Sequence, residues 1–184
     1  MDAAPRIATI MTCHNRRDTT LACLATLASQ RHFREDDLYL VDDGSTDGTG
    51  DAVRAAYPHA NVIGGDGTLF WSRGMNSAWQ AAIHAPVDYD WYFWLNDDVL
   101  LDPGALARLV ADATMCADPH EPLIIAGATL DAMREKVTHG AHWQGDPNRP
   151  LRLDLMIPDR VPQMATTVSG NAVDGYTADL VVRV

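Results

Sequence analysis

The sequence predicts an α/β domain with a mostly parallel central sheet and helices on both faces. Two observations carry that reading. Apolar runs of strand character alternate with helical patterns about four times in the first 115 residues. These runs exit into loops rich in Asp, Asn and Gly, and in such sheets ligands bind at the carboxyl ends of the strands. Length and composition agree: 184 residues suffice for one domain with a core, and 47% hydrophobic with 21% charged residues is a globular balance.

Residues 6–13, RIATIMTC, form the first β-prone run. Asp18 then precedes a segment whose Leu21, Leu24 and Leu27 recur at helical spacing. DLYLVD, residues 37–42, is the second strand, followed through Gly44 and Gly48 by a modest helix near Asp51 to Tyr57. NVIGG is a third short strand, and residues 69–85 read as a helix in which Trp71 and Trp79 share a buried face. DWYFWLN, residues 90–96, suits a strand buried on both faces, so its four aromatics read as sheet core ahead of a sugar-stacking platform. Asp102 as N-cap and Pro103 as first helical residue open a helix over GALARLVADA. LIIAGATL, residues 123–130, reads as a strand, whereas residues 131–165 show no clear period.

The bulk numbers also exclude functions. Net charge is −11 and Lys136 is the only lysine, so no basic surface exists to neutralise a nucleic-acid backbone. Cys13, Cys23 and Cys116 are odd in number and lack C-x-x-C spacing, which argues against a disulfide framework or a zinc ribbon. The N-terminal stretch lacks the form of a signal peptide, and no run of 18 apolar residues occurs. The expected location is cytoplasmic, with docking to the inner face of the membrane open as a further option.

The loop VDDGSTDGT places Asp43, Ser45 and Asp47 at alternate positions, as a calcium loop would. Its twelfth position is Arg54 where an EF-hand needs Glu, and it follows a strand. No G-x-x-x-x-G-K-[ST] occurs either. A polar turn with Thr46 or Asp47 capping the next helix explains the loop equally well. A second acidic loop, LNDDVLLDP, follows the aromatic strand. Adjacent carboxylates at the end of a buried strand repel unless a cation lies between them, and a hard divalent ion answers that need. His139 and His142 stand three apart without a third ligand at useful spacing, so zinc is not expected.

Taken together, T-C-H-N-R at 12–16, V-D-D-G-S-T-D-G-T at 41–49, G-D-G-T-L-F-W-S-R-G-M-N at 65–76 and W-L-N-D-D-V-L-L-D-P-G-A-L at 94–106 resemble the family 2 glycosyltransferases of the GT-A fold. The likeness covers roughly residues 5–110 and is nearest to a bacterial polysaccharide, rhamnosyltransferase-like subset. It implies a nucleotide-sugar-binding half at 1–115 and an incomplete acceptor-side half at 116–184. It implies that Thr12, His14, Asn15 and Arg16 line the nucleotide site and that Asp43 holds the base or ribose, with Asp42 a structural partner of the loop. Asp66 and Arg73 either approach the nucleotide or serve as cap and surface residues. The family's D-x-D falls on Asn96-Asp97-Asp98, which makes Asp98 the expected ligand of Mg²⁺ or Mn²⁺ and leaves Asn96 or Asp97 for the ribose.

The resemblance further implies an inverting transfer from a nucleotide-diphosphate sugar to a glycan or other hydroxyl acceptor, in polysaccharide or cell-wall synthesis. V-S-G-N-A-V, residues 168–173, resembles the start of the family's acceptor side, but no later residue matches its E-D or D-D base. The catalytic base is therefore unassigned, and a donor-nucleotide-binding fragment without transfer activity is the alternative. A nucleotidyltransferase would want glycines after the first strand, and TCHNRRD has none.

Overall fold

The computed structural model describes residues 4–116 and, beyond them, 124–127, 129–130, 137–139, 142–143, 154–155 and 179–182. Four strands, β1 (Ile7–Cys13), β2 (Leu38–Asp42), β3 (Asn61–Gly64) and β4 (Trp91–Trp94), lie side by side in parallel, in the order β3-β2-β1-β4. The connecting helices are α1 (Arg17–Ala28), α2 (Thr49–Ala56) and α3 (Phe70–Ile83), with α4 (Ala105–Cys116) following β4.

Period-two side-chain alternation sorts the strands into two cores. Ile7, Met11, Leu38, Leu40, Trp91 and Phe93 pack with Leu24 and Leu27 of α1, Val53 of α2 and Leu106 and Val110 of α4. Ala8, Ile10, Tyr39, Val41 and Tyr92 pack with Met75, Ala78 and Ala82 of α3. The expected layering of helices on both faces is thus realised. Trp71 and Trp79 lie on one side of α3, and both rings meet Trp94 edge-on, with centroids 6.2 and 5.2 Å away.

Register then sets the heights of the loops. Cys13 lies beside Asp42 and Asp42 beside Gly64, so β1, β2 and β3 end level with one another. Trp94 lies beside Ile10, three residues short of that line, so Asn96, Asp97 and Asp98 rise along the end of β1.

Three expectations need correction. Asp18 lies within the first turn of α1 rather than before it. Asp102 and Pro103 do not open α4: the Ala105 N–H donates to the Asp102 carbonyl at 3.0 Å, and Gly104 at φ +75° takes the left-handed conformation that no helix can include, so helix geometry starts one residue later. LIIAGATL is split between β5 (Ile124–Ala126) and β6 (Thr129–Leu130), which belong to different sheets. Beyond them, β6 pairs with β7 (Val137–His139), and β8 (His142–Trp143) pairs with β9 (Asp154–Leu155), each pair antiparallel. A further strand, β10 (Asp179–Val182), enters the main sheet antiparallel between β4 and β5. V-S-G-N-A-V, residues 168–173, lies outside the described residues.

At the amino end of the sheet, Asp37 is 1% exposed and closes a hydrogen-bonded knot. Arg6 donates to it through Nε and Nη2, at 3.1 and 2.9 Å, the Arg34 guanidinium lies at 3.3 Å, and the Tyr89 hydroxyl donates at 3.1 Å. Tyr39 and Tyr89 are joined through their hydroxyls at 2.9 Å. Among the described residues, no helix is long and apolar enough to cross a membrane.

Candidate nucleotide-sugar site

The site lies at the carboxyl ends of β1, β2 and β4 and is organised around two sets of carboxylates. The first is Asp43, immediately after β2 and 4% exposed. Its Oδ1 accepts from Gly67 N–H at 2.8 Å, and its Oδ2 accepts from the N–H groups of Leu69 and Phe70 at 3.0 and 2.9 Å. Asp43 thus holds the 65–70 loop and the start of α3, a task that no sequence signal revealed. Phe70 sits at φ +53° with its ring exposed, a conformation rare for an aromatic residue. The Asp43 carboxylate fixes that turn. Gly44 and Gly65 are required by closeness: a Cβ on Gly44 would meet Gly67 N at 2.7 Å, and one on Gly65 would meet Asp43 Oδ1 at 2.6 Å.

Just after β1, His14 and Asn15 reach the loop that follows β2. His14 Nδ1 lies 2.6 Å from the Asp43 carbonyl, which can only accept, so Nδ1 carries the proton. Nε2 then accepts from the Asn15 amide at 2.9 Å, and Asn15 Oδ1 accepts from Thr46 N–H at 2.7 Å. Asn15 adopts φ +51°, which Asn tolerates better than most residues. Thr12 is buried, donates to the Val41 carbonyl at 3.2 Å, and faces Gly74, where a Cβ would collide with its hydroxyl. Its visible task is to seat α3 on β1.

The second set is Asp97 and Asp98, bridged by Arg16. One guanidinium nitrogen, Nη1, donates to Asp97 Oδ1 at 2.9 Å and to Asp98 Oδ2 at 3.1 Å. A cation does stand between the adjacent carboxylates, and it belongs to the chain. Asp97 is 6% exposed, and Thr20, one helical turn after Arg16, offers its hydroxyl to Oδ2 at 3.5 Å. Burial pushes the Asp97 carboxyl above its ordinary range, and the Arg16 charge opposes that rise. Asp98 by contrast has a side chain 45% exposed. Asn96 accepts from Trp71 Nε1 at 2.8 Å through its Oδ1, and its carbonyl accepts from the Cys23 thiol at 3.4 Å.

Asp66 and Arg73 lie on the exposed rim. Asp66 Oδ1 accepts from Thr68 N–H and hydroxyl at 2.9 and 2.7 Å, and the hydroxyl contact holds its pKa below the ordinary value. Arg73 donates to the Thr68 carbonyl. Burial pushes the Cys13 and Cys23 thiols up to about 12, so both act as neutral packing groups. Sequence reasoning missed Thr20 and Trp71. Thr20 had a usable signal, its i+4 spacing from Arg16.

No group of three His, Cys, Asp or Glu around a common ion position occurs among the described residues. A Mg²⁺ or Mn²⁺ ion held mainly by phosphate oxygens and water needs only one or two carboxylates, and the half-exposed Asp98 meets that requirement.

Residues 8–118 match the family model described as glycosyl transferase family 2. Among solved structures, the chain is similar to the mannosyltransferase PcManGT of Pyrobaculum calidifontis, determined in complex with GDP-Man and Mn²⁺. That likeness has 21% identity and a TM-score of 0.54, over 70% of this chain and 36% of that one. It is also similar to S. aureus TarS 1–349 in complex with UDP-GlcNAc, with 17% identity and a TM-score of 0.51, over 66% of this chain and 33% of that one. The chain thus spans about a third of the length of these structures. A comparison with curated proteins finds no match. The four motifs in register, the parallel sheet that lifts them to one edge and the match over residues 8–118 place the chain in glycosyl transferase family 2.

Proposed function

We propose that this chain binds a nucleotide-diphosphate sugar at the carboxyl edge of β1, β2 and β4 and serves an inverting glycosyl transfer to a hydroxyl acceptor in polysaccharide or cell-wall glycan synthesis. One observation carries the reading: Arg16, Asp97 and Asp98 form a cluster at the strand ends in which Asp98 is half exposed. Asp98 would hold Mg²⁺ or Mn²⁺, and the bound ion would supply charge neutralisation for the diphosphate.

The chain's own residues supply the rest. Arg16, held by the buried Asp97, keeps a positive charge at the mouth of the site, where a diphosphate can replace part of its pairing with Asp98. Asp43 has three of about four acceptor positions filled by backbone N–H groups, and the remaining one would accept from the base or ribose. His14 and Asn15 lock the two loops that frame the nucleoside. Asp66 and Arg73 border it from the rim. Residues 1–115 form the donor half and residues 116–184 contribute to the acceptor side. Transfer then requires the acceptor hydroxyl to attack the anomeric carbon as a carboxylate takes its proton. We place the reaction in the cytoplasm, at or near the inner membrane face.

Calorimetric titration with UDP, GDP and dTDP, with and without Mn²⁺, tests donor binding. Incubation with the matching nucleotide sugars and glycan acceptors, followed by mass spectrometry, tests transfer. Binding that is equally tight in EDTA removes the metal from the reading. Binding without glycosylated product assigns the chain to donor binding alone.

A further inference from the structure

We infer that Trp71 is a positioning residue that turns Asn96 into a hydrogen-bond donor toward the nucleotide. The inference deepens the donor-binding reading and rests on it. An indole N–H can only donate, so the atom of Asn96 lying 2.8 Å from Trp71 Nε1 must be the amide oxygen. The backbone carbonyl of Asn96 is also engaged, by the Cys23 thiol. The amide nitrogen remains, without a partner among the described residues and on a half-buried side chain at the carboxyl end of β4.

The neighbouring indoles sharpen the point. Trp71, Trp79 and Trp94 form one edge-to-face cluster, yet Trp79 Nε1 and Trp94 Nε1 are buried without a partner among the described residues. Of these three indoles, the one beside Asn96 is the one that donates to a site residue among the described residues. Beside it, Asp97 and Asp98 present acceptors. The edge of β4 therefore offers one neutral donor next to two carboxylates, a pattern that recognises an oxygen lone pair of the donor's ribose or diphosphate. An acidic residue at position 96 would offer an acceptor instead.

A double-mutant cycle tests this, with affinity for UDP, GDP and dTDP measured by calorimetry and Tm by scanning fluorimetry. Asn96→Ala should weaken binding of the preferred nucleotide about fivefold, as expected for one lost hydrogen bond. Trp71→Phe keeps a ring against Trp94 but removes the N–H, and should weaken binding by a similar factor. The double variant should bind no worse than Asn96→Ala alone. Asn96→Asp, which still accepts from Trp71, should lose at least as much affinity as Asn96→Ala. Repeating the cycle with the free nucleoside separates the sources: a loss that persists assigns the contact to ribose, and one confined to the diphosphate assigns it to a phosphate oxygen. Additive costs in the double variant, or undiminished binding by Asn96→Asp, overturn the inference and leave donor binding intact. If the unaltered chain binds none of the nucleotides, the donor-binding reading falls and this inference with it.

Discussion

Two arginine–aspartate clusters occupy opposite ends of one sheet. At the amino end, Asp37 is enclosed by two arginines and a tyrosine hydroxyl and is 1% exposed. At the carboxyl end, a single arginine spans two aspartates, one of them with a side chain 45% exposed. Both clusters answer the same problem, a carboxylate at the margin of a hydrophobic core. The first answers it completely. The second leaves acceptor capacity facing outward, and that shortfall separates a site from a staple.

The sharpest way to break the comparison is to remove each acid in turn. Asp37→Ala should cost about 3 kcal/mol of stability. This sits at the low end of the about 3–5 expected for breaking a buried pair, because Arg6 and Arg34 are 38% and 59% exposed. Nucleotide affinity per folded molecule should be unchanged, as chemical denaturation and calorimetry on the same sample will show. A drop in affinity would mean that the two ends of the sheet communicate.

Asp43→Ala is an intermediate case. The residue orphans three backbone N–H groups when truncated, so it should cost about 2 kcal/mol and weaken nucleoside binding as well. Lost stability with unaltered affinity per folded molecule would place Asp43 wholly with Asp37 as a structural acid.

Asp98→Ala should behave in the opposite way. Tm should hold, while nucleoside diphosphate affinity in Mn²⁺ falls about tenfold, or about 1.4 kcal/mol. The same titration in EDTA should show no difference between variant and parent.

The smallest effect belongs to Asp47, whose Oδ1 accepts from Thr49 N–H and hydroxyl at the start of α2 and whose Oδ2 accepts from Arg17 N–H at the start of α1. The Thr49 hydroxyl holds its pKa below 3.8. Its stabilisation is therefore fully present above pH 3.8 and fades as pH falls through the lower folded value. Asp47→Ala should lower Tm slightly at neutral pH, and the two melting curves should converge in strong acid.

Much of this was legible in the sequence because it is local. Hydrophobic period and glycine placement located β1–β4 and α1–α3, and the four motifs named the strand exits. What escaped was non-local. Arg16 and Asp97 lie 81 residues apart, and only the register of β1 with β4 brings them together. Asp43 reads as an exposed loop acid until the 65–70 loop folds over it. Asp102-Pro103 has the composition of a helix start, but Gly104 places a turn there. Of β10 the sequence shows a short apolar run, which does not reveal a partner 85 residues earlier.

That late strand has a consequence for how the protein is made. Parallel strands β1–β4 are available once residue 94 has been synthesised, whereas the outer edge of β4 gains its neighbour only with Asp179–Val182. At ~5–20 residues per second, several seconds of translation separate the two events. Throughout that interval, an aromatic strand carries unpaired backbone N–H and C=O groups along one side, a template for pairing with another nascent chain. A ribosome stalled between these points would display a formed parallel sheet with an open edge, making that stretch of synthesis the period in which the chain most needs a chaperone.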